Sequence, residues 1–329
     1  MRKFNNILCV MELGADSKPA LDRAVKLAED NQANLTVVDV IPRVPAGYAM
    51  QDGGPIADDI QVEMEREHKA WITAMLEPHR KRLDIKSELL TGTVFLEVIR
   101  AVLRNGYDLV IKSPEAPGWV DRFFIGDDMK LLRKCPCPVW MVKQQTEERY
   151  QRILAAVDVD DDYPPAELET RQALNEGVME IAGSLAVSEF AELHVVHAWE
   201  AFSESAMRHG TLTSVPTENV DSYMAQVREH RAKRLDELMQ KASTKLGSEA
   251  MDYLKPKLHL PNGPAREQIP ALANRLHVDC IVMGTVARTG IQGFIMGNTA
   301  ETILAQIDCS VLAIKPPGFV TPVTVEDNK

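Results

Sequence analysis

Lys112–Lys143, KSPEAPGWVDRFFIGDDMKLLRKCPCPVWMVK, and Gly284–Lys315, GTVARTGIQGFIMGNTAETILAQIDCSVLAIK, run side by side for 32 residues without a gap, at a constant offset of 172 (284 − 112 and 315 − 143). A segment repeated near the end of each half marks a duplication, so both halves are constrained to one architecture. The 329 residues exceed one ordinary core and suit two domains of about 150 residues. The expected division is 1–145, 150–315 and an irregular tail over 316–329, where Pro316, Pro317 and Pro322 oppose regular structure.

Each half reads as β-α-β-α-β-α-β-α-β. Ile7–Met11 is an apolar run, Pro19–Glu29 has helical spacing at Leu21, Ala24, Val25 and Ala28, and Leu35–Ile41 is apolar and β-branched. The second half restarts this βαβ unit with Ile153–Val157, Glu169–Leu185 and Leu193–Trp199. Polar stretches bearing Pro and Gly follow, Pro42–Asp59 and Ala201–Asp221, and read as loops over one sheet end. Then come long helices (Gln61–Leu83, Ser222–Leu246), short strands (Lys86–Leu90, Lys255–His259) and helices (Leu96–Arg104, Ala265–Arg275). Buried strands (Leu109–Ile111, Cys280–Met283) and last strands (Val139–Val142, Val311–Ile314) complete the pattern. Strands this apolar belong in a parallel sheet covered on both faces. The polar linker Thr146–Arg149 is short, so the two domains are expected to form an internal pseudo-dimer.

A formal charge of −11 and a pI near 5.3 repel a polyanion, and no direct nucleic-acid binding is expected. Arg80-Lys81-Arg82 and Arg231, Lys233 and Arg234 lie in mixed-charge helical stretches and read as solvated faces. The apolar run after Arg2 and Lys3 stops at Met11, too short for a signal-peptide core, and no run suits a membrane span. Five scattered cysteines form no disulfide framework, which points to the cytoplasm.

The two copies differ where chemistry would sit. Gly284, Gly290, Gly293 and Gly297-Asn298-Thr299 stand against Lys112, Gly118, Asp121 and Ile125-Gly126-Asp127. A glycine closing a buried strand lets backbone amides approach a ligand. Gly297-Asn298-Thr299, ahead of the apolar helix Ala300–Gln306, turns N–H groups, a hydroxyl and a helix dipole toward an anion. The same residues also suit plain turn geometry and helix capping. Asp158 ends the first strand of the second half, a position suited to a ribose, a base edge or Mg²⁺ beside phosphates. Asp160, Asp161 and Asp162 read as a solvated acidic loop, and the first half has Met11-Glu12 at the corresponding place.

NNILCVMEL and QRILAAVDVD, LTVVDVIP and LHVVHAWE, KCPCPVWMVK and DCSVLAIK, and above all VMGTVARTGIQGFIMGNTAE together resemble the universal stress protein family in its tandem form, over nearly the whole chain. The resemblance implies two tandem flavodoxin-like (adenine nucleotide alpha hydrolase-like) α/β domains, each an open five-stranded parallel sheet with helices on both faces. It also implies a cytoplasmic, non-enzymatic stress-response role that includes resistance to DNA-damaging conditions. In nucleotide-binding members the loop is G-x-x-G, nine residues, then G-S or G-T. Here it is Gly284-Thr285-Val286-Ala287, nine residues, then Gly297-Asn298. The spacing is kept, while Ala287 adds a methyl where the second glycine stood and Asn298 replaces the hydroxyl residue, with Thr299 one step along. ATP or another nucleotide is thus the implied ligand of the C-terminal domain, with Asp158 and Gly284 toward the nucleoside and Gly297, Asn298 and Thr299 toward phosphates. The N-terminal domain is expected to bind none. By the same resemblance, family domains pair through their last strands, here Val139–Val142 and Val311–Ile314, so an internal pair would satisfy those edges within one chain; a further homodimer is a separate expectation.

Other constellations point elsewhere. His194 and His197 beside Glu200 lie three apart on a strand, face opposite ways and make no expected metal site. Cys135 and Cys137 are expected to diverge and to serve structure. Met207, Met224, Met239, Met283 and Met296 suit core packing first and a cavity for an apolar ligand second. No Ser/His/Asp order, HExxH helix or Walker loop is present, so no catalytic residue is assigned. Two alternatives remain open at this stage: a carrier of an apolar or lipid-like phosphorylated metabolite, and a weak ATPase or phosphotransfer enzyme.

Overall fold

The computed structural model describes residues 4–44, 56–114, 126–144, 149–201, 216–285 and 297–325. The chain divides into two compact units, one built on Lys3–Thr146 with Val320–Lys329, the other on Glu147–Phe319. The first unit contains β1 (Asn6–Met11), α1 (Lys18–Asn31), β2 (Asn34–Ile41), α2 (Ile56–Leu76), β3 (Ile85–Thr91), α3 (Val94–Asn105), β4 (Leu109–Lys112), α4 (Asp127–Lys134) and β5 (Val139–Met141). The second contains β6 (Arg152–Ala156), α5 (Pro165–Glu189), β7 (Glu192–Val196), α6 (Thr217–Leu246), α7 (Ser248–Leu254), β8 (Lys257–His259), α8 (Ala265–Leu276), β9 (Cys280–Gly284), α9 (Asn298–Gln306) and β10 (Ser310–Ile314). None of the described helices is long and apolar enough to cross a membrane.

Each unit holds a parallel sheet of the same order, β3-β2-β1-β4-β5 in the first and β8-β7-β6-β9-β10 in the second. Strands β1, β4 and β10 are almost wholly buried, whereas β3 and β8, each at an edge of its own sheet, carry exposed Lys86, Glu88 and Lys257. Helices form where apolar residues recur at helical spacing. In α1, Ala20, Leu21, Ala24, Val25 and Ala28 are buried, Pro19 pre-sets the first turn, and left-handed Gln32 ends the helix. The direction of winding reverses between β1 and β4, and between β6 and β9, which opens a crevice at the carboxyl ends of those strands.

Strand register corrects the repeat by one residue. Val110 lies beside Val139 on β5, and Ile281 lies beside Val311 on β10. Val139 and Val311 differ by 172, but Val110 and Ile281 differ by 171. The caps agree: Asp108 accepts from the N–H groups of Asn5 and Asn6 ahead of β1, and Asp279 from those of Gln151 and Arg152 ahead of β6. The copies therefore require a one-residue gap between their two strands, and Lys112 corresponds to Met283, Ser113 to Gly284. Uniformly apolar buried strands carry little alternation to fix their register in sequence.

Two smaller differences have local causes. Helix α7 is too short for a periodicity to show, and left-handed Lys255 ends it, so β8 starts at Lys257 rather than at Lys255. Strand β7 stops at Val196, and Trp199 touches the sheet again through a single parallel bridge to Asn262.

Candidate functional site

The crevice of the second unit is a cleft of about 360 Å³. Its walls come from the ends of β6, β7 and β9 (Asp158, His197, Met283, Gly284), from α5 (Arg171, Leu174, Asn175) and from the first turns of α8 and α9 (Ala265, Arg266, Thr299, Ala300). This volume lies in the range of small-molecule sites.

Asp158 is held by its backbone. Its N–H donates to Asn175 Oδ1 at 3.0 Å, and Asn175 Nδ2 donates back to its carbonyl at 2.6 Å. The first unit solves the same problem with Ser17, which accepts from the Glu12 N–H at 3.0 Å and donates to the Glu12 carbonyl at 3.3 Å. The Asp158 carboxylate is also engaged. Oδ2 accepts from Arg171 at 2.5 Å and from the Tyr163 hydroxyl at 3.3 Å, and Oδ1 accepts from the Asp160 N–H at 3.2 Å. The Arg171 guanidinium carbon lies 3.5 Å from the centre of the Tyr163 ring. Burial, with the Asp158 charge behind it, pushes the Tyr163 phenol up to about 12.

The loop after Asp158 keeps solvent contact, with Asp162 exposed, but it is clamped by a buried cation, which corrects the sequence reading of Arg231 as a solvated face. Arg231, on α6, is 5% exposed and reaches Asp160 at 2.9 Å, Asp162 at 2.7 Å and Asp161, while His230 Nε2 meets Asp161 at 2.7 Å. Burial works to raise the Asp161 carboxyl, but hydrogen bonds from His230 and Arg231 hold it below its ordinary value. Asp160–Asp162 is the one acidic grouping with metal-like spacing among the described residues, and Arg231 already fills it.

Gly284 ends β9, where an added Cβ would come within 2.4 Å of Leu174 Cδ2. Its missing side chain therefore serves the packing of α5 against β9, besides any approach of a ligand. Gly297 is the N-cap of α9 with no side-chain cap, leaving first-turn N–H groups at the cleft beside Thr299. Asn298 begins α9 as an exposed residue outside the cleft lining, and Ala287 lies outside the described residues. Next to Gly284, the buried Thr285 hydroxyl accepts from Lys315 Nζ at 2.5 Å.

His197 and His194 diverge. His197 is 3% exposed and lines the cleft; its Nδ1 lies 3.4 Å from both Val157 O and Val159 N, and its Nε2 has no partner among the described residues. His194 meets His259 on β8, Nδ1 to Nε2, at 3.0 Å. Burial pushes all three imidazoles below their ordinary value. Of the methionines, Met283 lines the cleft and Met224 packs with Trp199, Ala201 and Val220, while Met207 and Met296 lie outside the described residues. Cys135 and Cys137 do not diverge. A bend brings their Sγ atoms to 3.6 Å, and the hydrogen bond to Cys135, then burial, pushes the Cys137 thiol well above its ordinary value.

The equivalent crevice of the first unit is filled with its own charges. Register and the repeat make Glu12, Asp39, Lys112 and Asp128 the counterparts of Asp158, His197, Met283 and Ala300, all four of which line the cleft. Lys112, 1% exposed, sits 3.1 Å from Glu12 and 2.7 Å from Asp128, and Asp39 meets His68 at 2.5 Å. Burial raises the Glu12 and Asp39 carboxyls against the pull of Lys112 and His68.

Tyr163, Arg171, Asn175, His197 and Arg266 escape a reading by motif. The one available signal is Asn175, a polar residue four after Arg171 on the sheet-facing side of an apolar helix.

Two open parallel sheets in one chain, with a ligand-sized cleft where the second reverses its winding, define a tandem α/β protein of the nucleotide-fold class. The universal stress protein family matches residues 3–143 and 149–315, and the chain belongs to that family. Universal stress protein E of Escherichia coli K12 is 29% identical over 338 residues, covering 100% of this chain and 99% of that protein. A Haemophilus influenzae homolog of it is 27% identical over 323 residues, covering 95% and 98%. A crystal structure from Pseudomonas aeruginosa UCBPP-PA14, assigned to the universal stress proteins, is 26% identical with a TM-score of 0.65, covering 95% of this chain and 94% of that one. A universal stress protein of Archaeoglobus fulgidus shares the fold at 16% identity and a TM-score of 0.62, covering 95% and 97%.

Proposed function

We propose that this chain is a non-enzymatic, cytoplasmic stress-response protein whose C-terminal unit binds a nucleotide or a similar phosphorylated small molecule, and whose N-terminal unit binds none. The supporting observation is the contrast between the crevices. Four positions that are Asp158, His197, Met283 and Ala300 in the second unit are Glu12, Asp39, Lys112 and Asp128 in the first. At the second cleft the uncapped N-terminus of α9 offers N–H groups and a positive dipole end to a phosphate. A non-catalytic role fits the Asp158 carboxylate, which is tied to Arg171 and Tyr163 rather than poised as a base. Protection against DNA-damaging conditions is the physiological role the family resemblance suggests.

Calorimetric titration of ATP, with and without Mg²⁺, against wild type and Gly297→Glu tests the reading. Binding that the substituted glutamate abolishes supports it, and affinity unchanged by the substitution removes this cleft. Phosphate release that disappears in Thr299→Ala would instead make the protein an ATPase. The apolar wall formed by Leu174, Val178, Ile269, Met283 and Ile303 favours a carrier of an apolar phosphorylated metabolite as second reading. Native mass spectrometry of protein purified without added ligand separates the two.

A further inference from the structure

We propose that Arg171, laid flat on Tyr163, is the platform on which the cleft of the C-terminal unit stacks a planar heteroaromatic ring, and so selects base-bearing ligands over simple phosphates. The inference rests on the nucleotide reading above. A guanidinium carbon 3.5 Å from a ring centre lies over the face of that ring, so Tyr163 fixes the plane of Arg171 as well as its position. Asp158, at 2.5 Å from Nη1, holds one edge of the same plane. Tyr163, Arg171 and Asp158 all line the cleft, and a fifth of the Arg171 side chain (20%) stays exposed. A planar, weakly hydrated cation fixed in orientation at a cleft wall is suited to a flat π-system, because stacking needs little further loss of side-chain freedom.

The surroundings agree with a base carrying a sugar. A carboxylate offers about four acceptor directions, of which Asp158 uses three, on Tyr163, Arg171 and the Asp160 N–H, and its side chain is 40% exposed. A hydroxyl beside the stacked ring can therefore donate to Asp158 without displacing Arg171. Arg171 thus replaces a question of charge with one of shape. A lysine in its place would keep the ion pair and lose the plane.

The test compares wild type, Arg171→Lys and Tyr163→Leu with two probes, ethenoadenosine triphosphate read by its own fluorescence and inorganic tripolyphosphate read by competition. Arg171→Lys is expected to weaken the fluorescent nucleotide by about fivefold or more, to shrink its fluorescence change, and to leave the tripolyphosphate constant unaltered. Tyr163→Leu should act in the same direction, because it frees the guanidinium plane. Equal losses for both probes would make Arg171 a phosphate anchor and overturn the proposal, as would nucleotide affinity that stays constant or tightens. Wild-type protein that binds neither probe at millimolar concentration would sink the nucleotide reading itself and this inference with it. Thermal melts of the two variants, matched to wild type, exclude unfolding as the cause.

Discussion

At the scale of single residues, Lys112 and Gly284 mark the strand ends at the two crevices. Lys112 stands between Glu12 and Asp128 in the buried end of the first sheet. Lys112→Met removes the cation and leaves two half-buried carboxylates facing one another, which should cost about 3–5 kcal/mol in urea denaturation. The triple change Glu12→Gln, Lys112→Met, Asp128→Asn should recover most of that, since removing a whole buried ionic group is often close to neutral. Gly284→Ala meets Leu174 Cδ2 at 2.4 Å and should cost roughly 1–3 kcal/mol by overpacking. Leu174→Ala in the same chain should return part of it, a coupling that a double-mutant cycle reads directly. Neither role is visible in a glycine-spacing motif. The motif locates the strand end, but the neighbour that a methyl would have to displace, Leu174, lies on another element.

Between elements, the links that hold the second unit's cleft are polar and long-range. Arg231 of α6 clamps the Asp160–Asp162 loop across 69 to 71 residues of sequence. Arg231→Ala should lower stability by about 1–3 kcal/mol, the smaller range reflecting the exposure of its partners, and should also weaken any ligand that depends on Asp158. At the β7–β8 pair, His194 and His259 share one contact, with Glu192 and Lys257 on the same strands and Arg152 and Arg275 facing from β6 and α8. Their folded-state values lie below the unfolded value of about 6.5, so the unfolded chain takes up protons first. The stability they contribute is full above pH about 6.5 and is lost as pH falls through their folded values. Urea midpoints measured between pH 7.5 and 5 should fall, and should fall less steeply in His194→Gln. Of these links the sequence discloses little. Apolar runs such as Ile7–Met11 and Leu35–Ile41 announce strands because burial on both faces leaves a continuous signal. The same continuity hides register, which is why Lys112 aligns with Gly284 by residue count but with Met283 in the sheet. Charged residues on helices, Arg171 and Arg231 among them, look like solvated faces until the partners that the chain brings to them are in view.

For the whole molecule, the duplication means that one ligand should leave an uneven signature. A nucleotide at about 100 times its Kd adds roughly 2.7 kcal/mol to whichever unit binds it. Hydrogen exchange with saturating ATP should slow amides in Ala156–Val159, Gly284–Thr285 and the first turn of α9, and leave Met11–Glu12 and the first turn of α4 unchanged. Protection of both sets would refute the division of labour between the units. The pairing of Asn175 with Asp158, and of Ser17 with Glu12, carries a further implication. In both units a side chain in or just ahead of the following helix satisfies the two main-chain groups at the end of the first strand. The residue at that strand end can then change its side chain without unsettling the sheet. A charge-filled crevice is therefore an exchangeable furnishing of a common frame. Under the proposed reading, replacing Glu12, Asp39, Lys112 and Asp128 by Asp, His, Met and Ala is the direct route to giving one chain two sites.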